Sequence, residues 1–327
     1  MTEYEKAINL LSENQNIAVF MHINPDGDCI SSALALCLFL KKLSKNVVCF
    51  SQNFDSSVIP QKLTFLPSIE IINAVSPQKE YDLTVGVDVA DAGRLGDQCF
   101  RLFMKGKKTL VIDHHIADRE FAQNVIRESK SASTTQIVYK LLRKFDEKLI
   151  DKDIATCLYT GLVTDSGCFS FSCTSTETHK VAAELLQYGF DAAEIVRKVM
   201  KECPKNIFRL KNKVLSKAEF FDSDTIGLIS FSSEDFANTN TSEKDTDGII
   251  NSIIDVKGVE IAIAISEVAP KSYKVSFRTK HNVDASACAR CFGGGGHFNA
   301  AGCRVYGYYE DVKSNILSAV REIASYA

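Results

Sequence analysis

Four short clusters of aspartate and histidine, each placed directly after an apolar run, constrain this chain more than any other feature. Ile17-Ala18-Val19-Phe20-Met21 leads into His22 and Asp26, and Leu83-Thr84-Val85-Gly86-Val87 leads into Asp88. Thr109-Leu110-Val111-Ile112 leads into Asp113-His114-His115, and the segment Leu158 to Val163 leads into Asp165. Together with Val47-Val48-Cys49-Phe50, the first three runs read as apolar strands separated by helical patterns such as Cys29 to Leu43. Strands of that kind belong to parallel sheets covered on both faces. Such sheets bind ligands beyond the carboxyl ends of their strands, which is where the clusters fall. Each cluster alone has a bland explanation: Pro25 and Gly27 suit a tight loop, and Asp28 can cap the helix that follows. Four of them at corresponding ends of one sheet are not explained by turns.

The residue types also select a chemistry. Carboxylates and imidazoles without thiolates suit Mn²⁺, Mg²⁺ or Fe²⁺ better than a structural zinc ion. Two such ions can share a carboxylate, lower the pKa of a water and neutralise charge on phosphoryl oxygens. Of the chain's 6 histidines, three sit in these clusters, which weighs against a chance gathering.

A length of 327 residues suits two domains. The pattern divides into a first domain over 1–190, a helical linker over 191–222 and a second α/β domain over 223–327, with strands at Ile226 to Phe231, Val259 to Ile265 and Tyr273 to Arg278. From Arg197 to Lys217 the chain is basic, through Arg197, Lys198, Lys201, Lys205, Arg209, Lys211, Lys213 and Lys217. That row is either a solvated connecting helix or a positive wall drawing anions to a cleft. A net charge of −3 and the lack of tryptophan argue against a stable complex with long nucleic acid. Cysteines such as Cys37, Cys49, Cys99 and Cys157 lie in apolar runs, as small buried residues of a reducing compartment do. The N-terminus lacks the basic segment of a secretory signal. The apolar run Ala33 to Leu40 is far shorter than the roughly 20 residues a bilayer needs. A cytoplasmic protein with no membrane partner is predicted.

In order and spacing, His22, Asp26, Asp28, Asp88, Asp113-His114-His115 and Asp165 resemble the motifs of the DHH phosphoesterase superfamily. Gly293-Gly294-Gly295-Gly296-His297, followed by Ala300-Ala301-Gly302, resembles the signature of the DHH-associated C-terminal domain. The resemblance spans nearly the whole chain. It is nearest to oligoribonucleases (nanoRNases) that also act on 3′-phosphoadenosine 5′-phosphate, and relatives of similar layout cleave linear or cyclic dinucleotides.

The resemblance implies an α/β fold: an N-terminal parallel-sheet domain covered by helices, a helical linker, and a smaller C-terminal α/β domain, with the active-site cleft between the two domains. It implies two divalent cations, Mn²⁺ first, one held by His22, Asp26 and Asp88 and the other by Asp28, Asp88, His114 and Asp165. Asp113 is expected to orient His114, and His115 to act on the scissile phosphate as hydrogen-bond donor or general acid. Arg278, Gly294, Gly295, Gly296 and His297 are expected to bind substrate, with Arg94 and Ser133 as weaker phosphate contacts. The glycine run has its own physical reading, since glycines let several backbone N–H groups approach an anion. Cys288-x-x-Cys291 with Cys303 admits a zinc reading, but no second such pair follows.

The implied activity is hydrolysis of oligoribonucleotides of about two to five nucleotides, because the far end must fit a finite pocket. Removal of the 3′-phosphate of 3′-phosphoadenosine 5′-phosphate goes with it, and cleavage of linear or cyclic dinucleotides is the alternative. A single-strand DNA exonuclease would carry a further strand-binding domain, an inorganic pyrophosphatase would lack the glycine signature, and a regulatory nucleotide binder would not need the full ligand set. Many relatives are homodimers, a state that no residue here requires.

Overall fold

The computed structural model describes residues 1–324 except Ser56, Val58, Lys79, Asp118 and Asp247, and describes Asn53 and His297 through their backbone alone. The chain forms two compact units, residues 1–202 and residues from 203 onward. Among the described residues no helix is long and apolar enough to cross a membrane.

The first unit is built on five parallel strands, β1 (Asn16–Phe20), β2 (Asn46–Phe50), β3 (Leu83–Val87), β4 (Lys108–Asp113) and β5 (Asn124–Arg127), in the order β2-β1-β3-β4-β5. Alternate side chains of β1 point to opposite faces, as the period of two requires. Ile17 and Val19 join the larger core, packed by α1 (Glu3–Glu13), α2 (Gly27–Lys42), α4 (Thr134–Asp146) and α5 (Lys152–Asp165). Ala18 and Phe20 join the smaller core on the other face, where α3 (Asp97–Phe103) contributes Cys99, Leu102 and Phe103. Both faces being covered explains why the strands read as continuous apolar runs. Two further helices, α6 (Thr176–Leu186) and α7 (Ala192–Val196), complete the unit, followed by a π turn at Arg197–Lys201.

The strand order reverses direction between β1 and β3, which creates a crevice at their carboxyl ends. His22 follows β1 and Asp88 follows β3, so both reach that crevice. Helix α2 starts there because the Asp26 side chain accepts hydrogen bonds from the Asp28 and Cys29 N–H groups, each at 3.1 Å. The cap expected at Asp28 is therefore Asp26. Two glycines let α2 and α5 approach closely: a Cβ on Gly27 would lie 2.4 Å from Thr164 Oγ1, and one on Gly161 would lie 2.8 Å from Asp28 Oδ1.

The second unit opens with α8 (Lys205–Leu215) and holds a six-stranded mixed sheet of β6 (Glu219–Phe221), β7 (Ile226–Phe231), β8 (Ile261–Ala269), β9 (Ser272–Thr279), β10 (Gly295–His297) and β11 (Ala300–Tyr306). Their order is β10-β11-β9-β8-β7-β6, antiparallel except for the β7–β8 pair. α11 (Ala285–Arg290) and α12 (Tyr309–Ala324) pack on one face, whereas α8, α9 (Ser233–Thr239) and α10 (Asn251–Ile254) pack on the other. The basic row is partly consumed by internal ion pairs. Arg197 pairs with Glu194 and Glu202, and both Lys213 and Lys217 pair with the buried Asp235.

Candidate metal centre

Asp88 is the hub of the site. It is 2% exposed and adopts φ of +60°, a left-handed conformation that aspartate tolerates better than most residues. One carboxylate oxygen lies 3.5 Å from His22 Nε2, and the other lies 3.6 Å from His114 Nε2. Asp26 Oδ1 lies 3.8 Å from His22 Nε2, and Asp165 Oδ2 lies 3.3 Å from His114 Nε2. Most of these spacings are long for N–H···O hydrogen bonds, which fall at 2.7–3.2 Å. They suit neighbouring ligands of one small divalent ion, since each ligand atom stands about 2.0–2.2 Å from the ion. Asp28, His114 and Asp165 also bring ligand atoms within 4.8 Å of one another.

The tautomers agree with this reading. His22 Nδ1 is 2.7 Å from the Ile23 carbonyl, and His114 Nδ1 is 3.2 Å from the Ser131 carbonyl. A carbonyl only accepts, so both Nδ1 atoms carry a proton, and both Nε2 atoms face carboxylates. Backbone carbonyls that fix the outer nitrogen are a common support for metal-binding histidines. His22 Nδ1 also lies 3.4 Å from the Arg94 guanidinium, which places Arg94 beside the centre with an exposed side chain.

Electrostatics give the fit test for cations. Burial first, then the charges of Asp88 and Asp26, push the Asp165 carboxyl up to about 8. Burial, then repulsion from Asp88, Asp165 and Asp26, holds the Asp28 carboxyl well above the usual carboxylate range. The crowded carboxylates disfavour their own ionisation, a penalty that nearby cations relieve. Asp28 is fully buried, yet its two oxygens accept the Thr134 and Thr135 backbone N–H groups at 2.6 and 3.0 Å. Those N–H groups are orphan donors at the start of α4, so Asp28 is anchored by a helix end distant in sequence.

His115 lies beside the ligand pairs, its Nδ1 3.6 Å from Asp88 Oδ1, but its firm partner is Asp113. Its Nδ1 bonds Asp113 Oδ1 at 2.8 Å, and this hydrogen bond chiefly holds its pKa above the ordinary histidine value. The second Asp113 oxygen is bound by Arg127, which also donates to the His115 carbonyl at 3.1 Å and to Glu120. Asp113 therefore orients His115, whereas His114, its expected partner, is oriented by Ser131. Ser133, expected as a phosphate contact, is fully buried; its hydroxyl caps α4 through the Gln136 N–H at 3.1 Å and bonds Thr135.

Sequence reasoning missed several supports. Thr134 Oγ1 donates to Asp88 Oδ1 at 2.9 Å, and Arg127 acts through Asp113. Ser133-Thr134-Thr135 ahead of an amphipathic run is a readable cap signal, but nothing local marks Arg127. Cys29 shares a cluster with His22 and Asp88. Its thiol accepts the His22 N–H at 3.3 Å and donates toward the Val87 carbonyl at 3.6 Å. Burial pushes the thiol pKa up to about 12, and both of its hydrogen bonds run to backbone groups that position the His22 and Asp88 segments.

In the second unit, Arg278 is the next-to-last residue of β9, with Nη1 bonded to the Phe277 carbonyl at 3.0 Å. The glycine run is partly strand: Gly295 to His297 pair with β11. A Cβ on Gly294 would lie 2.3 Å from the Gly302 carbonyl oxygen, and one on Gly296 would lie 2.6 Å from that of Ala300. These two glycines are thus explained by close approach to β11, while Gly295 faces open space. The side chain of His297 lies outside the described residues. Cys291 is exposed and its Sγ donates to the Ala287 carbonyl at 3.5 Å, with Cys288 and Cys303 buried.

A parallel sheet with an aspartate–histidine centre at its switch point, followed by a glycine-bearing mixed sheet, defines a metal-dependent phosphoesterase. Residues 16–162 match the model for the DHH family N-terminal domain, and residues 228–325 match the DHHA1 domain. A bifunctional oligoribonuclease and PAP phosphatase, NrnA, of Thermus thermophilus is 31% identical over 94% of this chain and 89% of its own length. The enzyme of that name from Bacillus subtilis is 24% identical, with 93% of each chain covered. An exopolyphosphatase-related protein of Bacteroides fragilis superposes with a TM-score of 0.90 at 25% identity, covering 98% of this chain and 96% of its own. The chain belongs to the DHH family of phosphoesterases, which are hydrolases dependent on divalent metal ions.

Proposed function

We propose that this enzyme uses two divalent cations, Mn²⁺ ahead of Mg²⁺ or Fe²⁺, to hydrolyse very short oligoribonucleotides to 5′-mononucleotides, and that it also removes the 3′-phosphate of 3′-phosphoadenosine 5′-phosphate. A cytoplasmic location goes with that role. The observation that carries the reading is Asp88, whose two oxygens stand 3.5 Å from His22 Nε2 and 3.6 Å from His114 Nε2, the placement of a carboxylate shared by two ions. The names borne by the Thermus and Bacillus relatives support the substrate class.

His22, Asp26 and Asp88 would hold one cation, and Asp28, Asp88, His114 and Asp165 the other. When bound, the cations supply Lewis-acid polarisation of the phosphoryl group and lower the pKa of the attacking water. The chain's own residues do the rest. Both proposed substrates lose the same bond: water adds to phosphorus, the bond to the 3′-oxygen breaks, and that oxygen leaves with a proton. His115 supplies the proton from Nε2, because its Nδ1 is committed to Asp113. Arg94, beside the centre, takes an anionic group of the substrate. In the second unit Arg278 and the backbone of Gly294 to Gly296 offer anion contacts of their own, with Gly295 leaving the room that a ligand needs.

The test is Mn²⁺-dependent turnover on a ribodinucleotide, a long single-stranded RNA, 3′-phosphoadenosine 5′-phosphate, cyclic di-AMP and pyrophosphate. Fast release of mononucleotides from the dinucleotide, with the long RNA slow, is the expected result. Preference for the long RNA or for pyrophosphate would sink the substrate assignment and leave the metal centre standing.

A further inference from the structure

Two large apolar side chains are exposed in the segments that leave the metal motifs. Ile116 directly follows His115 and is 85% exposed, and Phe171, six residues after Asp165, is 55% exposed. Phe171 is half-exposed in the turn that leaves the Asp165 motif, and that turn fixes where its ring lies.

The turn after α5 is shaped to hold that ring. The Cys168 N–H bonds the Val163 carbonyl at 2.8 Å, and the Phe171 N–H bonds the Ser166 carbonyl at 3.1 Å. Gly167, Cys168 and Phe169 all take positive φ, which turns the chain back on itself. Gly167 sits under the ring itself: a Cβ there would come within 2.5 to 2.7 Å of three Phe171 ring atoms. The ring is thus laid against the backbone of Gly167, two residues beyond Asp165, and the side chain remains 55% exposed. Cys173 closes the same turn, its Sγ lying 3.9 Å from the Asp165 carbonyl. The geometry fixes Phe171 in the turn that leaves Asp165, with more than half of its surface exposed.

We propose that Phe171 is a stacking platform for a nucleobase of the substrate, next to the scissile phosphate, with Ile116 as a second apolar contact. This inference rests on the nucleotide reading above and deepens it by naming the base as a recognised group. Every nucleobase has a π-face, so such a platform strengthens binding without selecting one base. It also distinguishes a nucleotide site from one for inorganic phosphates, which have nothing to stack.

The experiment compares the full-length Mn²⁺-loaded enzyme with Phe171→Ala and Phe171→Trp on a diadenylate and on two analogues, each lacking one base. Phe171→Ala is expected to raise KM on the diadenylate about tenfold with kcat within about twofold. The loss should vanish on the analogue whose missing base is the one stacked, and Phe171→Trp should keep the wild-type KM. An unchanged KM in Phe171→Ala, or the same loss on both analogues as on the intact diadenylate, would overturn the platform. If the wild-type enzyme hydrolyses no dinucleotide, the substrate reading has failed, and calorimetry with AMP and ribose 5-phosphate tests the platform alone. A preference for AMP that Phe171→Ala abolishes supports it; a preference that is absent, or that survives the substitution, overturns it.

Discussion

The Asp113 carboxylate accepts the Nδ1 hydrogen of His115 at 2.8 Å while Arg127 binds its other oxygen. His115 is thereby held in one orientation, and the Asp113 anion raises its pKa. The protonated imidazole is present below that pKa and is lost as pH rises through it. Asp113→Asn removes the anion, so the pKa falls back toward about 6.5. We expect the alkaline limb of the kcat profile to move to lower pH, with kcat itself down about tenfold or more. Arg127→Gln keeps the anion, so its limb should stay near that of the wild type while kcat falls. A pH–rate profile of the three proteins checks both statements.

Metal removal should expose the crowding of the carboxylates. The Asp165 carboxyl, pushed to about 8 by burial and by its charged neighbours, compares with about 3.9 in the unfolded chain. A folded-state pKa above the unfolded one gives stability that is full below the unfolded value and lost as pH rises through the folded value. The metal-free protein should therefore melt at progressively lower temperature from about pH 4 to about pH 8. Asp28 shifts in the same direction and adds to the trend. Saturating Mn²⁺ should raise Tm most at the alkaline end. Thermal melts with and without chelator test this, and a metal-free Tm that rises across that window would contradict it.

Gly161 ties the packing of the first unit to its chemistry. A methyl group there would lie 2.4 Å from Thr135 Cγ2 and 2.8 Å from Asp28 Oδ1, both inside the allowed contact distance. Neither neighbour has room to retreat, because Asp28 is fixed by the Thr134 and Thr135 N–H groups. Gly161→Ala should cost about 1–3 kcal/mol of stability, although alanine is the better helix former. It should also weaken cation binding by displacing Asp28. Calorimetric Mn²⁺ titration alongside a denaturant melt measures the two effects in one protein.

Strands β1 to β4 and the clusters that follow β1, β3 and β4 were legible because both signals are local, an apolar run and then a polar cluster. Strand β5 is only four residues long and was not legible, and the apolar run before Asp165, expected at a sheet end, is the last part of helix α5. What was not legible is who touches whom. Asp26 and Asp28 are chemically equal candidates to cap α2, and the choice is made by a contact between Asp28 and Thr134, 106 residues away. Asp113 has histidines at the next two positions, and Arg127 and the Ser131 carbonyl decide which of them it serves. The glycine run reads as backbone exposed to a ligand, yet Gly294 and Gly296 are glycine because β11 passes against them. Strand pairing at that edge leaves no periodic trace in so short a segment.

Thr134 offers a way to separate ligand placement from ligand identity. Its hydroxyl donates to Asp88 Oδ1 at 2.9 Å, and its backbone N–H is bound independently to Asp28. Asp88 sits at φ of +60°, so its carboxylate is aimed from a backbone conformation that few residues hold without support. Thr134→Val keeps the shape, the helix start and the bond to Asp28, and removes only the hydrogen bond to Asp88. Losing one neutral-to-charged hydrogen bond should cost stability about 1.5–3 kcal/mol at most. Cation affinity should fall about tenfold to a hundredfold, as when the outer partner of a ligand is lost. At saturating Mn²⁺ most of kcat should return, because every ligand is still present. Asp88→Ala, by contrast, removes the shared carboxylate, and added Mn²⁺ should not rescue it. Turnover followed against Mn²⁺ concentration in the two variants distinguishes a weakened site from a missing one.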